Sequence, residues 1–467
     1  MESKQHCCRV LYEASSLGYP NIALIKYWGK RKCPWQDEQF MQHEHPGHYA
    51  CRRFRVSCNN PINDSLSVTL NNDNMKTYTT ILLCQLNNSS PGVNDEKFSG
   101  DRMYLNDQEI DMSPRYRRLL HIARTFISNH DPTLGKLFAE DRITFCVITK
   151  NFFPTAVGLA SSASGSSAFA GALKRLCDKI STRDSSVSYS IPHPTVLARF
   201  GSGSGCRSLC DGFALWKSTP IEHCKENEPC AVSIASSQHW TSLHILILVF
   251  PFRKGQSSPS KEISSARGME TSLRSSPFVH QLTADGFQSP VKADRITRLT
   301  KAILHRDFST VAEITMTESD ELHAICSTST PVIRYLNRFS ETMIQFIRRY
   351  NSLQNVICET KDKYYCAYSF DAGPNMFLFC EEPHIAEIFA AILDLFPGTA
   401  HESCFLQKPL NEAKQHPHIF DEKLQSLIAE YASSLCSIFE AACDAPHSDR
   451  PYLPYVYHST PGGGVVV

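Results

Sequence analysis

The sequence lacks the features that mark membrane-spanning, secreted and nucleic-acid-binding proteins. Its longest apolar run covers residues 245–250, far short of the roughly 20 residues that a membrane-spanning helix needs. The first ten residues, MESKQHCCRV, contain no apolar stretch, so we expect no secretory signal. Lys plus Arg and Asp plus Glu both number 47, which leaves no basic excess for nucleic acid. These absences predict a cytoplasmic protein with no membrane or nucleic-acid partner.

What the sequence does contain is enough apolar material for a large core. Of its 467 residues, 42% are hydrophobic and 20% are charged, a composition that excludes a wholly disordered chain. A chain of this length is expected to form roughly two or three domains. The 19 cysteines are scattered through apolar stretches, and we interpret them as reduced thiols.

Hydrophobic periodicity predicts a mixture of strands and helices. In the first half, residues 142–149 and 77–83 show strand-like patterns, whereas apolar residues recur at helical spacing over 119–127. In the second half, apolar-faced helices are predicted at residues 384–396 and 422–442. The chain is therefore predicted to have an α+β fold.

A stretch rich in Ser, Pro and charge, residues 252–277, is predicted to separate the two halves. We place the division between them near residues 220–240. This predicts an N-terminal lobe of residues 1–235 and a C-terminal lobe of residues 236–467.

Residues 32–58 form a polar segment without clear periodicity. The segment carries a set of residues that bind soft divalent metals, His43, His45, His48, Cys51 and Cys58. It has no CxxC pair and no established ligand spacing, so a surface insertion is favoured over a metal site. We therefore predict no dedicated protein metal centre.

A small-residue loop at residues 158–165 carries the strongest chemical signal. It lies within NFFPTAVGLASSASGSSAFA, after a predicted strand and before an Ala-rich helix. Small side chains let backbone N–H groups approach an anion, and a helix N-terminus favours negative charge. No Gly-Lys-Ser/Thr follows, so this is not a Walker motif. The alternative is a simple Ser/Ala-rich helix cap. The candidate phosphate-binding residues are Gly158, Ala160, Ser161, Ser162, Ala163, Ser164 and Gly165.

A second small-residue run, GSGSGCRSL, contains Ser202, Ser204 and Arg207. A guanidinium beside exposed backbone and hydroxyls suits bidentate recognition of a carboxylate or phosphate. A flexible linker is the alternative, and the embedded arginine argues against it.

Two further segments place charged side chains beside apolar ones. NIALIKYWGKR contains Lys26, Tyr27 and Lys30, and AYSFDAGPN contains Asp371 where an apolar stretch meets a Gly-Pro turn. A strand-to-turn junction is a position where a rigid scaffold presents a reactive side chain. Taken singly, the first is also explained by a solvated strand end and the second by an Asx turn.

Taken together, these segments resemble the mevalonate diphosphate decarboxylases of the GHMP kinase superfamily. The matching motifs, in order, are NIALIKYWGKR, PINDSLSVTL, PTAVGLASSASG, GSGSGCRSL, SSARGMETS and FDAGPN, and the resemblance covers residues 18–460 apart from the insertion. It implies a two-lobed fold with an active-site cleft between the lobes. It also implies ATP-dependent conversion of mevalonate 5-diphosphate to isopentenyl diphosphate, with release of ADP, phosphate and CO2, in isoprenoid and sterol biosynthesis.

The resemblance implies roles for single residues at the reacting centre. Asp371 matches the catalytic aspartate beside the C3 hydroxyl. Arg207 matches the arginine that holds the substrate carboxylate and orients that aspartate. Lys26 and Tyr27 match residues at the substrate diphosphate and the reacting centre.

The remaining roles are implied in the same way. Ser202, Ser204 and Lys30 are expected to bind the substrate, whereas Asn21 and the loop at residues 158–165 are expected to bind ATP. Mg2+ is expected to arrive with ATP, held mostly by phosphates and water. The resemblance also implies a homodimer.

Two acidic residues depart from the family pattern. Asp211 follows the GSGSGCRSL motif, and Asp320 replaces a family Asn, so each adds negative charge near a predicted anion site. The alternatives to a decarboxylase are a sibling kinase, which phosphorylates mevalonate or phosphomevalonate and stops there, and an inactive descendant that only binds.

Overall fold

The structure is a computed structural model, and it describes most of the chain. The described residues are 8–31, 59–86, 100–154, 159–181, 190–219, 225–251, 263–279, 283–284, 287–406, 421–442 and 450–465. The predicted insertion at residues 32–58, including its His and Cys residues, lies outside them, as does Gly158.

The strands of the described residues are numbered in chain order. They are β1 (Cys8–Gly18), β2 (Asn21–Ile25), β3 (Ser65–Asn71), β4 (Thr77–Leu86), β5 (Arg102–Leu105), β6 (Gln108–Ile110), β7 (Ile143–Asn151), β8 (Phe213–Trp216), β9 (Ala231–Ala235), β10 (Leu243–Val249), β11 (Thr283–Ala284), β12 (Phe287–Gln288), β13 (Cys366–Ser369), β14 (Met376–Glu381), β15 (Cys404–Phe405) and β16 (Tyr455–Pro461).

The helices of the described residues are numbered in the same way. They are α1 (Pro114–His130), α2 (Pro132–Ala139), α3 (Ser161–Ile180), α4 (Pro194–Gly201), α5 (Ser265–Ser275), α6 (Pro290–His305), α7 (Phe308–Ser327), α8 (Arg338–Ile357), α9 (Glu382–Leu395) and α10 (Glu422–Ala442). Two 3₁₀ segments, Gly203–Leu209 and His401–Ser403, complete the set. No helix in the described part of the chain is long and apolar enough to cross a membrane.

Two large sheets organise these elements. A five-stranded sheet has the order β1-β4-β7-β5-β6, and a nine-stranded sheet has the order β13-β14-β10-β16-β3-β8-β9, with β2 paired to β3 and β15 paired to β16. Strand β10 is buried at all seven positions, which explains why its sequence is apolar at every position except His244. The second sheet therefore contains strands from both halves of the chain.

Most predicted elements are confirmed. The pattern at residues 142–149 forms β7, the pattern at 77–83 forms β4, and the predicted C-terminal helices form α9 and α10. The predicted separator at residues 252–277 is partly wrong, because its C-terminal part folds into α5. That helix begins at an N-cap serine, Ser264, whose side chain accepts a hydrogen bond from the Arg267 backbone N–H.

The core consists of two large apolar clusters. One joins the five-stranded sheet to α1, α3 and α4; its buried members all lie within residues 14–209, and Cys230 and Val465 pack against it. The other surrounds β10 and combines β2 and β3 with the helices and strands of the second half. Because this cluster combines residues from both halves of the chain, it does not test the boundary predicted between residues 235 and 236, which stays a prediction.

Candidate active site

A cavity of about 310 Å³ contains many of the predicted site residues. One wall is formed by residues that follow β2, including Lys26, Tyr27 and Trp28. The lining also includes Asp371 and the N-terminal residues of α5. Residues from both halves of the chain therefore line one cavity.

Lys26 and Asp371 form an ion pair in this cavity. The Lys26 Nζ lies 2.6 Å from an Asp371 carboxylate oxygen and also donates to the Ser369 hydroxyl at 2.8 Å and the Ala23 carbonyl at 2.9 Å. The lysine is 5% exposed and the aspartate 33% exposed, so the carboxylate faces the cavity while the ammonium is held behind it. Burial lowers the pKa of Lys26, and the charge of Asp371 opposes that effect.

Arg207 lies in the 3₁₀ segment Gly203–Leu209 and is almost completely buried. Its guanidinium lies 5.5 Å from the ring centroids of both Tyr27 and Trp216. It also donates to the side chain of Asn21 at 3.2 Å and to the Ser65 hydroxyl. Contacts of this kind fix the direction of a planar guanidinium, and Arg207 also lines the cavity.

Asn21 has a different place from the predicted one. It is 2% exposed, and its side-chain amide donates to the Ser204 carbonyl at 3.0 Å and the Ser208 hydroxyl at 2.7 Å. Its carbonyl oxygen accepts from Arg207. The geometry therefore gives Asn21 a role beneath the 3₁₀ segment, where it supports Arg207, and does not support the predicted contact with ATP.

The predicted phosphate loop is mostly helix. Helix α3 begins at Ser161, and Ala160 precedes it in the left-handed backbone region at φ 54°. Ala160, Ser161 and Ser162 line the cavity, so the helix N-terminus opens onto it. That arrangement favours an anion, because the first N–H groups of a helix have no partner within the helix.

Three other residues of this loop do not face the cavity. Ala163 and Ser164 are completely buried, and the Ser164 hydroxyl is hydrogen-bonded to Thr77 at 2.7 Å. Gly165 lies in the second turn of α3, facing Tyr116. The prediction that these three contact phosphate is therefore not supported, because the helix begins earlier than the glycine spacing indicated.

The two serines of GSGSGCRSL lie beside the helix N-terminus. The Ser202 hydroxyl is 3.4 Å from the Ser162 hydroxyl and 3.5 Å from the Ser204 hydroxyl. Ser204 lines the cavity, whereas Ser202 is 8% exposed. The structure thus brings the predicted substrate serines against the predicted phosphate-binding residues. The run is not an exposed loop, since it forms the end of α4 and the 3₁₀ segment.

Tyr27 and Lys30 differ in their relation to the cavity. Tyr27 lines it, and burial raises the pKa of its phenol to about 12, so the hydroxyl remains protonated. Lys30 is not among the cavity-lining residues. Burial lowers the pKa of Lys30 to about 8; the charge of Arg115 acts in the same direction and that of Glu270 opposes it.

The two acidic departures from the family pattern point away from the cavity. Asp211 accepts the backbone N–H of Ser237 at 3.1 Å, on the side of β9. Asp320 accepts the Tyr368 hydroxyl at 2.9 Å and pairs with Arg348 at 2.6 Å, in a separate polar groove. Neither carboxylate therefore adds charge to the predicted anion site.

Sequence reasoning missed a second helix N-terminus at the cavity. Ser264 and Ser265, at the start of α5, line it together with Met269. The signal was present in SSARGMETS, where a serine N-cap precedes a helical segment. SSARGMETS contributes to the family resemblance, but the surrounding stretch is interpreted from sequence as a separator between the two halves. Two helix N-termini therefore open onto one cavity, which suits a site for more than one phosphate group.

Solved structures of known proteins share this fold. The chain resembles a structure of mevalonate diphosphate decarboxylase from Trypanosoma brucei at 27% identity, with a TM-score of 0.70 and 97% of each chain covered. A crystal structure of mevalonate 5-diphosphate decarboxylase matches at 25% identity with a TM-score of 0.65, covering 97% of this chain and 96% of the other. Fold and cavity together define a mixed α and β enzyme of the GHMP kinase class.

The sequence comparisons identify the family. Residues 55–225 match the model of the diphosphomevalonate decarboxylase-like N-terminal domain, and residues 245–447 match that of the mevalonate 5-diphosphate decarboxylase C-terminal domain. Diphosphomevalonate decarboxylase of Rattus norvegicus is 34% identical over 415 residues, which cover 88% of this chain and 86% of the rat protein. The chain belongs to the diphosphomevalonate decarboxylase family.

Proposed function

We propose that this protein converts mevalonate 5-diphosphate and ATP to isopentenyl diphosphate, ADP, phosphate and CO2. The observation that carries the proposal is the position of the Lys26–Asp371 pair in a cavity that also receives the N-terminus of α3. A carboxylate able to accept a hydroxyl proton thus shares one cavity with a site suited to the phosphates of a nucleotide.

The first chemical step is phosphoryl transfer to the C3 hydroxyl. The C3 oxygen bonds to the γ-phosphorus of ATP as the bond from that phosphorus to the β–γ bridging oxygen breaks, which gives ADP. Asp371 accepts the C3 hydroxyl proton or orients the hydroxyl, and Lys26 holds Asp371 in place through the 2.6 Å ion pair. Positioning and electrostatics supply most of the acceleration in such transfers.

The second step is loss of phosphate and CO2. The C3–O bond breaks and its electron pair leaves with phosphate. The bond from C2 to the carboxyl carbon then breaks, and its pair forms the new double bond to C3. Arg207 would hold the substrate carboxylate before this step, since its direction is fixed by Asn21 and by the rings of Tyr27 and Trp216.

Tyr27, Lys30, Ser202 and Ser204 are proposed to bind the substrate and its diphosphate. Ala160, Ser161 and Ser162 are proposed to bind the phosphates of ATP. Mg2+ would enter with ATP and neutralise phosphate charge. The hydroxyl oxygens of Ser161 and Ser162 at the cavity are ligands of the kind that a hard cation accepts.

We also propose that the protein is a cytoplasmic homodimer. Light scattering on the purified protein would test the dimer, because one chain has a mass of 52.5 kDa and a dimer has twice that mass. Fractionation of cells followed by immunodetection would test the compartment. A single-chain mass, or recovery in a membrane or organelle fraction, would contradict the corresponding part.

The reaction is tested with mevalonate 5-diphosphate labelled at the carboxyl carbon. ADP and labelled CO2 should appear in a one-to-one ratio that depends on ATP. A sibling kinase would give ADP from mevalonate or phosphomevalonate without CO2, and an inactive descendant would give neither product. The variant Asp294→Asn is a matched control for Asp371→Asn, because Asp294 is an exposed aspartate on α6.

A further inference from the structure

Helix α7 makes a hydrogen bond to each of the two segments that carry the Lys26–Asp371 pair. A Glu318 carboxylate oxygen accepts the backbone N–H of Lys26 at 3.0 Å. The next residue, Ser319, accepts the backbone N–H of Phe370 through its hydroxyl oxygen, also at 3.0 Å. Phe370 immediately precedes Asp371. Two adjacent side chains of one helix thus hold the backbone of both partners.

The Glu318 carboxylate is itself fixed by charge. It is 1% exposed and receives the Lys292 ammonium at 2.5 Å on both oxygens and the Arg295 guanidinium at 2.7 Å. A buried carboxylate remains charged only when it is paired and hydrogen-bonded in this way. Lys292 and Arg295 lie on α6, so the acceptor for Lys26 is anchored to two packed helices.

The Lys26–Asp371 pair joins two distant segments of the chain. Its partners are 345 positions apart in the chain and follow the ends of two different strands, β2 and β13. Chain connectivity therefore does little to fix the 2.6 Å separation of their charged groups. Glu318 and Ser319 are not cavity-lining residues, so they act on the pair from behind.

We propose that α7 acts as a clamp that sets the spacing of Lys26 and Asp371, with Glu318 and Ser319 as positioning residues. The inference rests on the proposed function, since it assigns a purpose to the spacing of that pair. Loss of either hydrogen bond lets one partner shift, and a displacement of about 1 Å at a reacting group costs about 10²-fold in rate. Substrate binding depends on other groups, so the effect falls on kcat.

The first test measures kcat and KM for Ser319→Ala and Glu318→Ala in the intact protein. Each variant should lose about 10- to 100-fold in kcat, while KM for ATP and for mevalonate 5-diphosphate stays within about threefold. Ser327→Ala is the control on the same helix, because its exposed hydroxyl donates to the Ala324 carbonyl of that helix. Glu321→Gln is the control in the same ionic cluster, because its contacts are with Arg295 and Lys292. Both controls should keep kcat within about twofold.

A second arm separates positioning from general support of the fold. The double variant Glu318→Gln with Lys292→Met keeps an acceptor for the Lys26 N–H and removes one charge of each sign. It should keep kcat within about threefold of the parent, although Glu318→Ala does not. In an Asp371→Asn background, Ser319→Ala should lower the remaining kcat by less than about twofold, because the carboxylate that Ser319 positions is gone.

Three results would overturn the clamp. The first is parent-like kcat in Ser319→Ala and Glu318→Ala. The second is an equal kcat loss in Glu318→Ala and the charge-balanced double variant. The third is an undiminished Ser319→Ala effect in the Asp371→Asn background. If Glu318→Ala does not fold, Ser319→Ala and the double variant still test whether α7 positions the Lys26–Asp371 pair. Failure of the proposed function looks different, since Asp371→Asn and Lys26→Met would then retain turnover.

Discussion

Replacing Asp371 with asparagine should abolish most turnover and leave the fold intact. The substitution keeps the size of the side chain and an oxygen that accepts from Lys26, but it removes the negative charge and the ability to accept a proton. Loss of a positioned acid or base typically costs about 10²- to 10⁴-fold in rate. At about 1.4 kcal/mol per factor of ten, this corresponds to roughly 3 to 5.5 kcal/mol of lost transition-state stabilisation.

The expected cost in stability is much smaller. Removing one partner of a fully buried ion pair costs about 3 to 5 kcal/mol, whereas an exposed pair is worth at most about 1 kcal/mol. Asp371 is 33% exposed, and the Lys26 ammonium retains Ser369 and the Ala23 carbonyl as acceptors. We therefore expect Asp371→Asn to lower the free energy of unfolding by about 1 to 2 kcal/mol.

The assay couples ADP release to an optical signal and measures labelled CO2 in parallel. Thermal denaturation of the same preparation reports the fold, and Asp294→Asn controls for the chemical change of an exposed aspartate. Turnover near that of the parent in Asp371→Asn would refute the assignment of the reacting centre. A large fall in thermal stability would instead show that the pair is mainly structural.

Three further outcomes are expected. Arg207→Lys should lose about tenfold or more in kcat/KM, because an ammonium cannot replace a guanidinium bonded to Asn21 and placed between two rings; equal kcat/KM would show that charge alone matters. In the parent, kcat/KM should fall as pH rises through about 8, because Lys30, whose pKa is lowered to about 8, loses its charge there. The variant Lys30→Arg should move that fall to higher pH. Identical pH profiles for parent and variant would exclude Lys30 as the titrating group. Replacing residues 32–58 with one glycine should give a folded, active enzyme. The Arg31 N–H donates to the Asn60 carbonyl at 2.8 Å and Asn59 has φ 53°, so the glycine and Asn59 can form a two-residue turn. Loss of activity, together with chelator sensitivity of the parent at saturating magnesium, would favour a metal site in this segment.

The sequence predicted the local elements and the residue types of the site well. The strand β7 and the helices α9 and α10 follow from apolar periodicity, which the buried faces of these elements preserve. Lys26, Arg207 and Asp371 were identified from their motifs, and all three line the cavity. Elements and residue types that are encoded in local sequence patterns could therefore be predicted.

The contacts between distant segments could not be predicted. The sequence around residue 161 does not show that helix α3 begins at Ser161, because serine and alanine suit a loop and a helix start equally well. The placement of Asn21 under Arg207 depends on a contact across 186 positions. The sequence does not single out Glu318, since its partners come from α6 and from the end of β2.

The position of β16 has a consequence for the order in which the protein folds during synthesis. This strand lies between β10 and β3, although it follows both of them in the chain by more than two hundred residues. The ribosome therefore produces β3 long before the strand that joins it to β10, and the nine-stranded sheet cannot close until β16 emerges. The strands of the five-stranded sheet and the buried residues of its apolar cluster all precede residue 210, so the pairing of these strands has no such dependence. We expect this sheet to form first, and we expect the pairing of β3 with β16 to form last.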